Sequence, residues 1–438
     1  MNRNSFLKAA AALGASVFAF GKSALAQAKD AAASAASGGF KITLQPYATS
    51  LTGEECFIIA ATNRRSRAEV EATFPDGTVR KFYASHSTAG IKHVGMLHSI
   101  HVDGLKPGDE IKYKVSLTDV ETFYPRGEKN LAKLFKLGET IVVGAEKPLS
   151  FKVPRASETA SVAIVNDIHA HDARMKKLLS AVPDAEMLVM NGDMDNRLES
   201  HEDILSRFLA TAAEYGAGRR PVYYVRGNHE CRGFGAENFP LYAPFPGKRT
   251  YCAFRHGPVY FLMLDSCEMR PDNTPVNGGF IDLVRYQREE AKWLEGIVRS
   301  REFKSAPFRV AIQHIPFLPP TSIPGPEKKG LSPIEDYKNY EKFRRELFYE
   351  NILKGAGIDL IINAHTHKFK WAPDGNGLDF PMFINSNTEI ARLDADMEKL
   401  TITVFDESGK QSRDTMRVFR KSFAEAKRKP AQKAAKRR

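Results

Sequence analysis

Val162-Ala163-Ile164-Val165-Asn166-Asp167-Ile168-His169 is the stretch on which the reading of this chain turns. A short apolar run reads as a strand, and a carboxylate and an imidazole follow directly after it. Open α/β sheets place their sites just past strand ends. In the D-x-H tripeptide, positions i and i+2 of an extended segment project to the same side, so Asp167 and His169 can grip one ion.

Working outward, the same arrangement recurs. Asn191-Gly192-Asp193 follows Met187–Met190, Arg226-Gly227-Asn228-His229-Glu230 follows Val222–Val225, Gln313-His314 follows Arg309–Ile312, and Asn363-Ala364-His365-Thr366-His367 follows Asp359–Ile362. Further strands are expected at Val259–Leu264 and Met382–Ile384. Helical patterns at His171–Ser180, Glu202–Glu214, Asp282–Ser300 and Tyr337–Leu353 alternate with the strands, as βαβ units do. Singly each segment is a weak signal; their order and strand context together are not accidental.

The set supplies two carboxylates, four imidazoles and a side-chain amide, besides His229. Oxygen and imidazole ligands without thiolate suit Mn, Fe or Zn. Asp193, with two oxygens, can bridge two ions, and two ions about 3.5–4 Å apart can hold a hydroxide and clamp a phosphate. Two carboxylates leave a pair of divalent cations net positive, which attracts a phosphate dianion.

This pattern resembles the calcineurin-like metallophosphoesterase superfamily over roughly residues 160–405. The resemblance implies an αββα sandwich and two divalent or mixed-valence metal ions. Asp167, His169 and His367 would hold the first, Asp193 would bridge, and Asn228, His314 and His365 would complete the second. His229 matches the histidine that contacts phosphate and protonates the leaving group, a role suited to an imidazolium near neutral pH. The implied activity is hydrolysis of a phosphomonoester by direct attack of metal-held hydroxide. The alternatives are a phosphodiesterase acting on nucleotides or cell-envelope phosphodiesters, and a non-catalytic surface binding protein with a relic site.

Several positions depart from the family pattern. Ala170 and Ala364 stand where glycines are usual, and both are small enough for the turns to survive. Asn196 occupies the position where protein phosphatases carry an aspartate that orients the catalytic histidine, and where purple acid phosphatases carry a tyrosine ligand. With Asn196 and His169 present, the purple chromophore is expected to be absent. Asn196, Arg226 and Arg197 are candidate substrate contacts, with structural ion pairing the alternative for the two arginines. Asn385, Ser386 and Asn387 are candidates to line the site, and Glu230 to orient His229 or cap a helix.

Upstream, residues 41–154 carry short alternating runs at Cys56–Ala61, Ala68–Thr73, Met96–Val102 and Ile111–Ser116, separated by turns such as Pro75-Asp76-Gly77. They predict a small antiparallel β-sandwich. The phrase 104–113, GLKPGDEIKY, resembles fibronectin type III domains, which precede the catalytic domain of purple acid phosphatases. The catalytic domain is then expected over 155–420.

The net charge of +12 sits mainly at the ends. Residues 421–438 contribute +7 and residues 1–26 contribute +3, leaving +2 between them. A nearly neutral body without interleaved aromatics argues against specific nucleic-acid binding. The tail 421–438 reads as disordered, either simply solvated or in weak contact with an anionic surface. Arg3 and Lys8, the apolar stretch Ala9–Phe20 and Ala24-Leu25-Ala26 read as a signal peptide over 1–26, followed by a linker over 27–40; the protein is expected to be periplasmic or secreted. A twin-arginine box is approached at 3–8, with Asn4 in place of its second arginine. Cys56, Cys231, Cys252 and Cys267 fit neither a zinc finger nor a redox motif, and read as a bridge or as buried thiols.

Overall fold

The computed structural model describes residues 39–84, 90–156, 159–317, 319 and 335–420. The signal peptide expected at 1–26, all but the last two residues of the linker, and the basic tail at 421–438 lie outside the described residues.

Seven strands come first: β1 (Ile42–Thr49), β2 (Glu55–Thr73), β3 (Val79–Tyr83), β4 (Val94–Asp103), β5 (Glu110–Phe123), β6 (Phe135–Val143) and β7 (Leu149–Lys152). The two strands expected at Cys56–Ala61 and Ala68–Thr73 are one, the 19-residue β2. It continues through the polar residues between them because their side chains find partners inside the fold. Thr62 and Ser66 hydroxyls lie 2.9 Å apart, and Ser66 Oγ is 2.7 Å from His98 Nε2. The pairing with β4 shifts register between Ala61 and Ser66, where a bulge redirects the strand. Beyond it β2 pairs with β3 and β5.

Next come β8 (Ala160–Val165), β9 (Met187–Asn191), β10 (Val222–Val225), β11 (Cys252–His256), β12 (Val259–Met263), β13 (Phe308–Ile312), β14 (Leu360–Asn363), β15 (Lys370–Ala372), β16 (Met382–Ile384), β17 (Glu389–Ala395), β18 (Lys399–Asp406) and β19 (Met416–Phe419). They form two sheets. One runs β19-β18-β17-β8-β9-β10 and continues into β1-β2-β5-β6; the other runs β11-β12-β13-β14-β16-β15. β1 joins the first sheet through Thr49, which pairs with Val222 and donates its hydroxyl to the Val222 carbonyl at 2.6 Å. Tyr113 OH, donating to the Gly218 carbonyl at 2.8 Å, ties β5 to the same region.

Side-chain alternation builds the layers. On β8, Val162 and Ile164 share a buried cluster with Phe261, Val310 and Ile362 of the second sheet, which places that cluster between the sheets. Ala163 and Val165 pack instead with Met175 and Leu178 of the helix Asp172–Ser180. Leu262, Ala311 and Ile361 of the second sheet pack outward with Leu294 of the helix Leu283–Arg299 and with Phe348 and Leu353 of the helical run Arg345–Leu353. The result is a mixed α/β sandwich, helix–sheet–sheet–helix, preceded by the β-rich region. Its parallel strands β8, β9, β10, β13 and β14 deliver their C-terminal ends to one edge.

Candidate metal centre

The loops leaving β8 and β9 run side by side. Asp167 N–H donates to the Gly192 carbonyl at 3.0 Å, His169 N–H to the Asp193 carbonyl at 3.1 Å, and Ala170 N–H to the Met194 carbonyl at 2.9 Å. Asp167, His169, Ala170, Asp193, His365 and His367 all have φ between 50° and 68°. Non-glycine residues rarely sit in the left-handed region, and such strain collects where a site demands it. Gly192 and Gly227 permit the closest approaches. A Cβ on Gly192 would lie 2.4 Å from His314 Nδ1, and one on Gly227 2.3 Å from Asp193 Oδ1.

All seven candidate ligands converge. His367 Nε2 lies 3.2 Å from Asp167 Oδ1 and 3.1 Å from His169 Nε2. His314 Nε2 lies 3.1 Å from Asp193 Oδ2 and 3.9 Å from Asp167 Oδ1. Asp167, His169 and His367 form one cluster with ligand atoms within 4.8 Å of one another; Asp193, His314 and His365 form a second; His169, Asp193 and His229 form a third that links them. One terminus of the Asn228 amide faces Asp193 Oδ2 at 3.3 Å and His365 Nδ1 at 2.9 Å. With its oxygen turned inward, Asn228 adds a fourth lone-pair donor to the second cluster.

The electrostatics fit cations. Asp167 Oδ1 is buried and has no hydrogen-bond partner, although three imidazole nitrogens surround it. A buried carboxylate oxygen facing only ring nitrogens is costly unless a cation or a shared proton lies among them. Without metal a proton takes that part. Burial alone would strip the proton from His314, but Asp193 and Asp167 outweigh it and hold the imidazole up to about 10. Burial, with the charge on His314, pushes His365 down to about 4.

His229 is oriented by its backbone and its ring. Its N–H donates to Asp193 Oδ1 at 2.9 Å, and its Nδ1 lies 2.7 Å from the Asn196 carbonyl oxygen. Nδ1 therefore carries a hydrogen, and Nε2 turns toward the cluster, 3.8 Å from Asp193 Oδ2.

These loops lie within a stretch that matches a known family. Residues 160–369 match the calcineurin-like phosphoesterases. The purple acid phosphatase PPD1 from yellow lupin (Lupinus luteus) seeds shares the fold with a TM-score of 0.53 at 15% identity, over 86% of this chain and 74% of that one. A structure described as PhoD is similar with a TM-score of 0.48 at 12% identity, over 90% of this chain and 98% of that one. No curated protein matches the chain.

Around the two clusters the remaining candidates take different places. Asn196 Oδ1 lies 3.1 Å from His169 Nδ1, so its side chain orients that ligand while its carbonyl orients His229. Arg226 pairs with the buried Asp265 at 2.8 Å and lies over the Tyr286 ring. Arg197 pairs with Glu199 at 2.8 Å at the surface. Asn385 is buried and donates to Asn166 Oδ1 at 2.7 Å; Asn166 in turn donates to Asp167 Oδ2 at 2.7 Å. Ser386 Oγ donates to the His367 carbonyl at 3.3 Å. All four cysteines are free thiols, with Cys56, Cys252 and Cys267 buried.

Glu230 neither caps a helix nor touches the His229 ring. It is fully buried and accepts N–H groups from both flanking loops. Arg232, which sequence reasoning passed over, lies with Nη1 3.2 Å from His229 Nε2. The buried Glu268 holds it through Nε at 2.9 Å and Nη2 at 2.8 Å. Glu268 lies 36 positions further along the chain, so no local signal marked the pair.

Proposed function

We propose that this chain is a metal-dependent phosphomonoesterase whose centre takes two cations of the Mn, Fe or Zn type. The observation that carries the reading is the pair of carboxylate–imidazole clusters, one around Asp167 and one around Asp193, joined through His169. Cations held there would supply Lewis acidity toward a phosphoryl oxygen and would lower the pKa of bound water.

The chain's own residues do the rest. Asp193, grouped with His314 and His365 on one side and with His169 on the other, would span the two halves of the centre. Side chains of His367 and His229 are 45% and 24% exposed, whereas Asp167, His314 and Asp193 are at most 1% exposed, so a phosphoester approaches from the open side. With Nδ1 anchored on Asn196, His229 in its protonated form presents Nε2, beside Arg232 Nη1, to hand a proton to the leaving oxygen. Arg232 offers its guanidinium to a phosphate oxygen beside it.

The test is turnover of a chromogenic phosphomonoester and a matching diester by the Mn-, Fe- or Zn-loaded protein. Monoester turnover should exceed diester turnover, and Asp193→Asn and His229→Ala should abolish it with the fold intact. A preference for the diester would move the substrate assignment to phosphodiesters, and full activity in either variant would overturn the site. The Arg3–Ala26 stretch supports export, which cell fractionation would check.

A further inference from the structure

The β5–β6 hairpin is the most apolar exposed part of the described chain. Phe123, Tyr124, Leu131, Phe135, Leu137 and Val142 are six of the thirteen large hydrophobic residues exposed among the described residues. Phe123 pairs across the ribbon with Phe135, so both share one face with Leu137, two residues on, while Thr122 pairs with Lys136. Phe123 and Tyr124 meet edge to face, with ring centroids 5.2 Å apart. The tip adds charge: Arg126, Lys129 and Lys133 carry no ion pair among the described residues, and Lys136 is paired with Glu121 at 2.5 Å. Over residues 121–137 four cations face two acids.

A patch that is aromatic on one face and cationic at its tip has a specific chemistry. Contiguous exposed apolar surface marks an interaction site. Aromatic rings favour the headgroup level of a bilayer, and each basic residue near an anionic membrane contributes about 1 kcal/mol. We propose that this ribbon docks the protein on an anionic phospholipid surface, with Phe123, Tyr124 and Phe135 lying among the headgroups and the tip cations neutralised by lipid charge. β6 is the last strand of its sheet, so a second copy of the chain is the rival occupant. Local charge decides against it: a second copy pairing edge to edge would bring the same ribbon, four cations against two acids over residues 121–137, so like charge would face like. Insertion stays shallow, because irregular backbone cannot enter the hydrocarbon exposed to lipid. No described helix is long and apolar enough to cross a bilayer.

The experiment is co-sedimentation of the full chain with vesicles of phosphatidylcholine alone or mixed with phosphatidylglycerol. Binding is expected only to the anionic vesicles, and the combined variant Phe123→Ser, Tyr124→Ser, Phe135→Ser should bind at least about tenfold more weakly. Metal content of that variant should equal the parent's, because the residues are exposed and none belongs to the centre. The same loss must appear in a chain shortened after Arg420, which lacks the basic tail. Three results would overturn the proposal: no binding by the parent, equal binding by the variant, or a parent dimer that the variant converts to monomer.

Discussion

The carboxylate of Glu230 accepts the backbone N–H of Asp193 at 2.9 Å through Oε2. The same oxygen accepts from Gly227 N–H at 2.8 Å, and Oε1 accepts from Met194 N–H at 2.8 Å and Tyr224 OH at 2.6 Å. One buried acid thus fastens the loop bearing Asp193 to the loop bearing Asn228. Burial pushes its carboxyl pKa up, and the charge of Asp193 adds to that.

Replacing Glu230 with glutamine turns an NH2 group toward backbone donors. Partners behind a metal's ligands typically account for 10–100-fold in affinity. Glu230→Gln should therefore weaken metal retention by about that factor. Competition against a chelator measures it; unchanged retention would show that the loops hold themselves.

Metal uptake should release protons. The carboxylates hold His314 protonated well above the ordinary imidazole range, and a cation takes the place of that proton. A raised pKa means that the proton-linked stability of the metal-free protein is complete below the ordinary imidazole range and fades as pH climbs toward 10. Metal binding has the opposite sign and tightens with rising pH. Calorimetric titration in buffers of different ionisation enthalpy counts the protons, and a count of zero would contradict the electrostatic picture.

Ala170 supplies a test of backbone strain. Its φ of 63° is costly for an L-residue, and glycine relieves the strain at a small entropic cost in the unfolded chain. Ala170→Gly should leave stability equal or raise it by up to about 1 kcal/mol, read from a denaturant midpoint. Activity should be kept.

The metal-loaded protein should show no strong visible tyrosinate band. Asn196 stands where a tyrosine ligand would, and its side chain is engaged with His169. Tyr224, close to the centre, has its hydroxyl bound to Glu230 and its pKa raised by burial. An absorption spectrum of the iron-loaded protein decides this, and a purple sample would refute it.

Much of this was legible from residue order because buried parallel strands are short contiguous apolar runs. Val222–Val225 and Met382–Ile384 have the same limits in the sequence reading and in the structure. Other strands, such as Phe308–Ile312, differ by a residue. The convergence of the ligands followed from their shared place after strand ends. What stayed hidden depends on distant partners. Arg226 gave no sign of being committed to Asp265, nor Arg232 of being held by Glu268 beside His229. Thr49 meets Val222 across 173 positions, so the joining of β1 to β10 had no local trace. β17 was hidden in another way: Arg392 and Asp394 break its apolar run and pair with each other at 2.9 Å, and the buried Glu389 is held by Arg413.

Metal analysis of protein purified without chelator tests the central claim most directly. Two cations per chain are predicted, falling to one or fewer in Asp193→Asn. Less than one ion per chain in the unaltered protein, after exposure to Mn, Fe and Zn in turn, would contradict it.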